Sequence, residues 1–244
     1  MAIGFARAGS AAALVTGPVS KSQLYAVGFT HPGQTEFIAE RCGVAKNNAV
    51  MMLAGPDLRV VPMTTHIPLA DVAATLDARL IRQRLRATAK GLQRNFGIEN
   101  PRLAVAGFNP HAGEAGNMGR EELEIFEPAI AQVRSEGFNI IGPLPADTMF
   151  HAEARAQYDA ALCAYHDQAL IPLKTLYFHD AVNITIGLPV VRTSPDHGTA
   201  FDIAGQNKAL PYSMIAAIKM AESAALHRLA AADGADHALA NAQE

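Results

Sequence analysis

Short apolar runs alternate with longer amphipathic stretches along the whole chain. Six runs are brief and apolar, as buried strands are, and they lie at residues 12–15, 49–53, 60–64, 103–106, 160–164 and 182–186. Four longer stretches are predicted to be helices, at residues 34–41, 70–95, 121–136 and 213–231. Strands that alternate with helices indicate βαβ units, so we predict an α/β fold with a largely parallel sheet.

Two stretches carry further structural signals. The helix at 121–136 begins with acidic residues and ends before Gly137, as dipole and capping preferences require, and Pro128 should bend it. Residues 2–17 resemble a helix running into a strand, an interpretation that we prefer to a signal peptide. No strand precedes that helix to complete a βαβ unit. We therefore expect an exposed edge or apolar face near residues 1–18.

Composition places the chain among globular proteins. Of its 244 residues, 50% are hydrophobic and 18% are charged, and the net charge of -3 gives no reason to propose nucleic acid or an anionic membrane as a partner. No apolar run reaches membrane-spanning length. The two cysteines, Cys42 and Cys163, have no CxxC partner. We expect a reducing compartment, the cytoplasm, and no disulfide.

Three histidines, His66, His111 and His166, each follow a predicted strand. Ligands gather at the carboxyl ends of strands in open α/β sheets, so the three imidazoles are candidates for one divalent metal site with open positions for substrate. Neutral imidazoles suit Zn, Co or Ni, and substrate oxygens would admit Mg or Mn. A lone histidine is more often structural, so the prediction depends on all three occupying equivalent places.

Other polar residues near the predicted strands allow two interpretations each. The glycine-rich loop after Asn109 could approach a ligand closely or be an ordinary surface loop. Asp167 could orient a metal ligand, and Asp147 could be a base, a metal neighbour or a turn residue.

The same holds for the cationic and amide side chains near residue 182. Lys174, Asn183 and Arg192 suit an anionic substrate, although each alone could be a surface or capping residue. The turn at 196–202 could offer backbone N–H groups to a nucleotide or be an ordinary polar turn. No Rossmann fingerprint is present, so the residues themselves leave the cofactor open.

Taken together, several motifs resemble one family. They are VTGPVSK at 15–21, GQTEF at 33–37, TTH at 64–66, NPHAGE at 109–114, PADT at 145–148, YHDQ at 165–168 and RTSPDHGTA at 192–200. In this order they resemble the 4-hydroxythreonine-4-phosphate dehydrogenase family of pyridoxal phosphate biosynthesis, from about residue 8 to residue 225. The separations of the three histidines also resemble those of the family's metal ligands.

The resemblance implies a fold similar to that of the isocitrate and isopropylmalate dehydrogenases, with two α/β/α domains flanking a cleft. Residues 1–18 and 190–244 would be the remnant of a nucleotide-side domain. Residues 19–189 would form the metal, substrate and dimerisation domain. A homodimer would complete each active site.

The resemblance also assigns roles to residues. His66, His111 and His166 would bind the metal, with ligands drawn from both subunits. The phosphorylated substrate would contact Gln34, Thr35, Lys174, Asn183 and Arg192, and Asp147 would lie near the metal. The adenosine part of the cofactor would contact the loop that contains His197, Gly198, Thr199, Ala200 and Asp202.

The implied activity depends on NAD or NADP and on a divalent metal such as Zn, Mg or Co. It oxidises 4-phosphohydroxy-L-threonine to 2-amino-3-oxo-4-phosphohydroxybutanoate, which decarboxylates to 3-amino-2-oxopropyl phosphate. Asp147, Lys174 or a metal-bound water would be the base. Alternatives are a dehydrogenase of a four-carbon sugar-acid phosphate, one of an aromatic cis-dihydrodiol, or an inactive shortened homologue.

The chain departs from the family pattern in two respects. Many members carry histidine where Gln34 stands, and glutamine hydrogen-bonds a phosphate without adding charge. Members usually also carry several dozen residues before the segment that matches Met1, including part of the cofactor wall. We therefore expect an incomplete nucleotide-side domain and weaker NAD binding than in a longer relative.

Overall fold

The computed structural model describes the backbone of residues 1–241 and the side chains of residues 1–45 and 47–233. Its strands are β1 (Ala13–Val15), β2 (Val50–Ala54), β3 (Arg59–Pro62), β4 (Arg102–Ala106), β5 (Asn139–Leu144), β6 (Ala160–Cys163), β7 (Val182–Ile186) and β8 (Val191–Pro195). Its α-helices are α1 (Ala2–Arg7), α2 (Lys21–Ala26), α3 (Gln34–Arg41), α4 (Val72–Thr75), α5 (Ala78–Phe96), α6 (Glu127–Ser135), α7 (Ala152–Arg155), α8 (His166–Tyr177) and α9 (Tyr212–Asn241).

The strands form one sheet in the order β1-β8-β7-β2-β3-β6-β4-β5. Strands β3, β6, β4 and β5 are parallel, as are β1 and β8, but the pairs β8–β7, β7–β2 and β2–β3 are antiparallel. The prediction of a largely parallel sheet is thus correct at both ends of the sheet and wrong at its centre. The reason is local: short turns join β2 to β3 and β7 to β8, and such turns connect only antiparallel neighbours.

Helices cover both faces of the sheet. On one face, Ile81 and Leu85 of α5 and Ile130 of α6 pack with Val61 and Leu162. On the other face, Leu173 and Ala169 of α8 pack with Val60 and Cys163. Neighbouring strand residues therefore point to opposite helical layers, which explains why these strands are apolar throughout. Among the described residues, no helix is both long and apolar enough to cross a membrane.

Most of the predicted helices and strands are present in the structure, several of them with different bounds. Helix α3 and strand β7 have the predicted bounds. The stretch at 70–95 splits into α4 and α5 because Asp77 caps α5, accepting a hydrogen bond from the Leu80 N–H at 2.6 Å. The stretch at 121–136 begins as a π-helix over Glu122–Phe126 and continues as α6, with Pro128 in the first turn of α6. Strands β5 and β8 and helices α2, α7 and α8 were not predicted.

Strand β1 lies at one edge of the sheet and pairs only with β8 among the described strands. The exposed edge or apolar face expected near residues 1–18 stays a prediction. Phe5, on the neighbouring helix α1, is 53% exposed. The sheet continues from β1 through β8 to β7, and the division into two domains stays a prediction.

Candidate functional site

One cleft of about 910 Å³ gathers most of the candidate site residues. Its lining includes His66, His166, Gln34, Thr35, Lys174, Asn183, Arg192, His197 and Gly198. These residues come from the ends of β3, β6 and β8, from β7, and from the first turn of α3 and one side of α8. The volume lies in the range of small-molecule sites.

The parallel pairing of β3 with β6 places two of the predicted metal ligands side by side. The pairing extends beyond the strands, since the Thr64 hydroxyl donates to the Ala164 carbonyl at 2.8 Å. The ring centroids of His66 and His166 are consequently 5.5 Å apart, with an angle of 44° between the ring planes. This spacing suits two imidazoles that share one metal ion at Zn–N distances of about 2.0–2.1 Å.

Neighbouring groups orient the His166 ring and set the charge of the His66 ring. Nδ1 of His166 lies 2.7 Å from Oδ1 of Asp167, which fixes the ring and leaves Nε2 for a ligand. His66 has a left-handed backbone with φ of 47°. Burial lowers the pKa of His66, and the nearby His166 and Lys21 add to the effect against the opposing charge of Glu36. The neutral form, which binds metals, is therefore favoured.

Arg192 on β8 is a buried cation with neutral partners. It is 4% exposed. It donates to the Thr185 hydroxyl at 3.1 Å, the Thr16 hydroxyl at 2.9 Å and the Gln34 amide oxygen at 3.3 Å. Burial lowers its pKa to about 10, so it stays charged at neutral pH. No ion pair among the described residues includes it. A buried charge without a counter-ion is costly, so this position favours an anionic ligand.

Asn183 and Lys174 complete the polar side of the cleft. The side-chain oxygen of Asn183 is buried and has no hydrogen-bond partner among the described residues, so it is available to a ligand. Nζ of Lys174 lies 2.9 Å from Oδ2 of Asp196 and donates to the Asp196 carbonyl oxygen at 2.9 Å. This ion pair ties α8 to the loop that carries His197.

His111 lies outside this cleft, in a loop with unusual backbone geometry. Residues 111–115 all have positive φ, between 40° and 77°, which is a run of left-handed conformations. Such conformations cost free energy for residues other than glycine, so the surrounding structure must hold them.

A buried carboxylate, that of Glu122, supports the His111 loop. Glu122 is 1% exposed. It accepts hydrogen bonds from the Asn109 backbone N–H at 2.7 Å and from the Asn109 side-chain amide at 2.9 Å. A Cβ on Gly113 would lie 2.7 Å from this carboxylate, so the close approach requires glycine. Sequence reasoning missed Glu122, although the pair Glu121-Glu122 just after Gly119 marks the position.

Asp147 and part of the predicted cofactor loop also lie outside the cleft lining. Asp147 is exposed, in a turn that contacts the His111 loop. Of the predicted cofactor residues, Thr199, Ala200 and Asp202 do not line the cleft, whereas His197 and Gly198 do. Within the described part of the chain, no three His, Cys, Asp or Glu side chains lie close enough to hold a metal. A single chain thus brings His66 and His166 together without His111.

Three residues of the site had no predicted role. Lys21 and Arg84 line the cleft, and Arg84 is held by bonds to the Met63 carbonyl at 3.2 Å and the Asn47 carbonyl at 2.9 Å. Gln168 braces the strand ends by accepting from the Ala164 N–H at 2.7 Å and donating to the Gly107 carbonyl at 2.8 Å. Lys21 lies in the motif at 15–21 and Gln168 in the motif at 165–168, so the motifs could have indicated a role for both residues.

The sequence as a whole matches a known family. The profile described as "Pyridoxal phosphate biosynthetic protein PdxA" matches residues 1–221. The chain belongs to this family. It is 59% identical over 228 residues to the 4-hydroxythreonine-4-phosphate dehydrogenase of Zymomonas mobilis, covering 93% of this chain and 68% of the relative. The family resemblance of the motifs is thus confirmed.

Solved structures agree with this assignment. The chain is similar to the crystal structure of 4-hydroxythreonine-4-phosphate dehydrogenase from Klebsiella pneumoniae, with a TM-score of 0.84 and 42% identity over 92% of this chain and 68% of that one. It is also similar to a terephthalate 1,2-cis-dihydrodiol dehydrogenase from Burkholderia xenovorans, with a TM-score of 0.70 and 34% identity over 91% of this chain and 70% of that one.

A more distant likeness concerns the fold alone. Isocitrate dehydrogenase from Methylococcus capsulatus matches with a TM-score of 0.50 and 13% identity over 85% of this chain and 67% of that one. The predicted α/β fold of the isocitrate dehydrogenase type is confirmed.

Proposed function

We propose that this chain catalyses the NAD- or NADP-dependent, divalent-metal-dependent oxidation of 4-phosphohydroxy-L-threonine. The keto acid formed would decarboxylate to 3-amino-2-oxopropyl phosphate, a step of pyridoxal phosphate biosynthesis. Arg192 is the observation that carries the proposal, because its buried charge has no counter-ion among the described residues and lies in the same cleft as two paired histidines. The relatives named 4-hydroxythreonine-4-phosphate dehydrogenase support this substrate class.

The phosphate would lie between Arg192 and the first turn of α3. Arg192 provides a planar donor with a fixed charge, which suits a phosphate better than an ammonium does. Gln34 and Thr35 open α3, whose first N–H groups have no partners within the helix and carry the positive end of its dipole. Asn183 adds an amide to the same side of the cleft.

The metal would be held by His66 and His166, whose ring centroids, 5.5 Å apart, are close enough for both rings to bind one ion. His111 of a second subunit would be the third ligand, since one chain does not bring it to the cleft, and a homodimer with shared sites follows. When bound, the metal would supply Lewis acidity that lowers the pKa of the substrate hydroxyl.

The Lys174–Asp196 pair would move the proton. Of the two side chains that the sequence offered as a base, Lys174 lines the cleft and Asp147 does not. Lys174 would pass a proton to the Asp196 carboxylate, 2.9 Å away, and take the hydroxyl proton in its place. His197 and Gly198 would hold part of the NAD or NADP, which would supply the hydride acceptor.

An assay of NADH formation tests this function. The purified chain is stripped with a chelator and given 4-phosphohydroxy-L-threonine and NAD, with and without Zn, Mg or Co. We expect metal-dependent NADH formation and release of carbon dioxide. If no metal supports formation of NADH from NAD or of NADPH from NADP, the proposal is overturned.

A second substrate class has its own support. The terephthalate cis-dihydrodiol dehydrogenase shares 34% identity with this chain, and a carboxylate could replace the phosphate beside Arg192. The same assay with terephthalate cis-dihydrodiol distinguishes the two classes. Faster turnover of the dihydrodiol than of the phosphorylated amino acid would select this alternative.

A further inference from the structure

A second cleft lies on the outer side of α5, away from the proposed active site. It encloses about 500 Å³ between α5, α9 and the turn that joins β7 to β8. Arg86, Lys90, Arg94 and Arg228 line it, and its lining contains no carboxylate. We propose that this basic cleft binds a small molecule that carries a diphosphate group.

The basic charge is concentrated there and does not reflect the whole chain. Helix α5 carries six cations and no acidic residue, whereas the chain has a net charge of -3. Arg86, Lys90 and Arg94 follow one another at four-residue spacing, which places them on one side of the helix. Like charges at this spacing destabilise a helix. A bound anion would therefore reduce the repulsion among these three cations.

Only one of the four cations has an acidic partner among the described residues. Arg86 binds both carboxylate oxygens of Glu136, at 2.7 Å and 2.5 Å. Arg228 donates to the Asn95 amide oxygen at 2.8 Å and to the Pro189 carbonyl at 2.8 Å. Arg94 reaches carbonyl oxygens at 3.5 Å. Lys90 has neither a hydrogen bond nor an ion pair within the described part of the chain.

The remaining charge and the size of the cleft define the ligand class. Three cations, Lys90, Arg94 and Arg228, form no ion pair among the described residues. A single phosphate monoester carries about −1.5 to −2 charges at pH 7, so two linked phosphates match three cations better than one does. Burial and the nearby Arg94 lower the pKa of Arg228 to about 10, and it stays charged at neutral pH. A concave site of this volume suits a small molecule.

Calorimetric titration of the full chain with inorganic pyrophosphate, ADP and inorganic phosphate tests the proposal. The test variant is Lys90→Gln combined with Arg94→Gln. The control is Arg79→Gln, which removes an exposed cation from the same helix outside the cleft. Any binding at the proposed active site is present in both proteins, so their difference belongs to the basic cleft.

We expect the double variant to bind pyrophosphate at least tenfold more weakly than the control, and inorganic phosphate to bind more weakly than pyrophosphate. Tighter binding of ADP would identify a nucleotide, and equal binding would identify the diphosphate itself. Lys90→Gln alone breaks no hydrogen bond or ion pair of the described residues, so it carries the test if Arg94→Gln disturbs the β7–β8 turn. Equal pyrophosphate affinities for the control and both variants would overturn the proposal.

Discussion

Arg192 and Glu122 are both buried ionisable residues, but they have different roles. Both have neutral hydrogen-bond partners and lack an ion pair among the described residues. The Glu122 carboxylate is closed off by Asn109 and Gly113, so its role is to hold a loop. Arg192 faces a large cleft, so its charge remains available to a ligand.

Arg192→Lys should raise KM for the phosphorylated substrate about tenfold or more, because the ammonium cannot offer the planar, two-point contact of the guanidinium. Steady-state kinetics measure the effect. The control is Arg155→Lys, which alters a partly buried arginine that pairs with Asp57 and does not line the cleft. An unchanged KM in Arg192→Lys would show that Arg192 is only structural.

At the scale of the element, the His111 loop depends on a residue outside it. Glu122→Gln should destabilise the chain by about 1–3 kcal/mol, because the new amide group would face the Asn109 donors that the carboxylate now accepts from. Urea unfolding measures the loss. Glu127→Gln, at an exposed position one turn further along, should change the free energy of unfolding very little. Equal stability of the two variants would contradict a supporting role for Glu122.

The register of β4 against β6 depends on Asp159, just before β6. Its carboxylate accepts from the Arg102 backbone N–H at 2.7 Å and from the Arg102 guanidinium at 2.9 Å. Burial alone would raise the pKa of Asp159. The hydrogen bonds and charge of Arg102 outweigh burial, and the pKa lies below its ordinary value of 3.8. The ionised carboxylate therefore stabilises the folded chain.

This stabilisation should depend on pH with a definite sign. A carboxyl group whose pKa is lowered in the folded state stabilises the folded chain at pH values above its unfolded-state pKa. This stabilisation is lost as the pH falls through the folded-state pKa. Asp159→Asn should cost about 1 kcal/mol at pH 7, a modest figure because Arg102 is partly exposed. The difference should shrink below pH 3.8, the ordinary value. Unfolding in urea at several pH values measures it, and Glu222→Gln on α9 is the control. A difference independent of pH would exclude the charge as its cause.

The elements that sequence patterns missed have physical reasons. Strand β5 lies at the edge of the sheet and contains Gly142 and Pro143, which an edge strand tolerates and a pattern search takes for a turn. Strand β8 is fully buried although Arg192, Thr193 and Ser194 are polar. Arg192 donates to the Thr185 and Thr16 hydroxyls, and Thr193 donates to the Ala217 carbonyl. Helix α8 contains Pro172, which argues against a helix in any local interpretation.

The candidate site also has parts that the sequence predicts and parts that it does not. The strand-end positions of His66 and His166 could be predicted because β3 and β6 are parallel neighbours whose ends coincide. The path of the His111 loop could not, since its left-handed backbone depends on contacts of Glu122 with Asn109 and Gly113. Hydrophobic periodicity contains no information about such contacts.

For the whole molecule, the decisive question is which chain supplies each histidine. His66 and His166 lie together in one chain, and His111 does not line their cleft. If a second subunit supplies His111, each site of a symmetric dimer combines two histidines of one chain with one of the other. His111→Ala should then abolish metal-dependent activity and leave the fold unchanged, as circular dichroism would show.

Mixing inactive variants separates a shared site from one built within a single chain. His66→Ala and His111→Ala should each be inactive. After they are unfolded together and refolded, random pairing gives heterodimers in which one site has all three histidines, so roughly a quarter of the sites should be active. The matched control mixes His66→Ala with His166→Ala, two changes in the same half of the site, and should stay inactive because each site then lacks one or the other histidine. Restored NADH formation in the control mixture, or none in the test mixture, would contradict a site shared in this way.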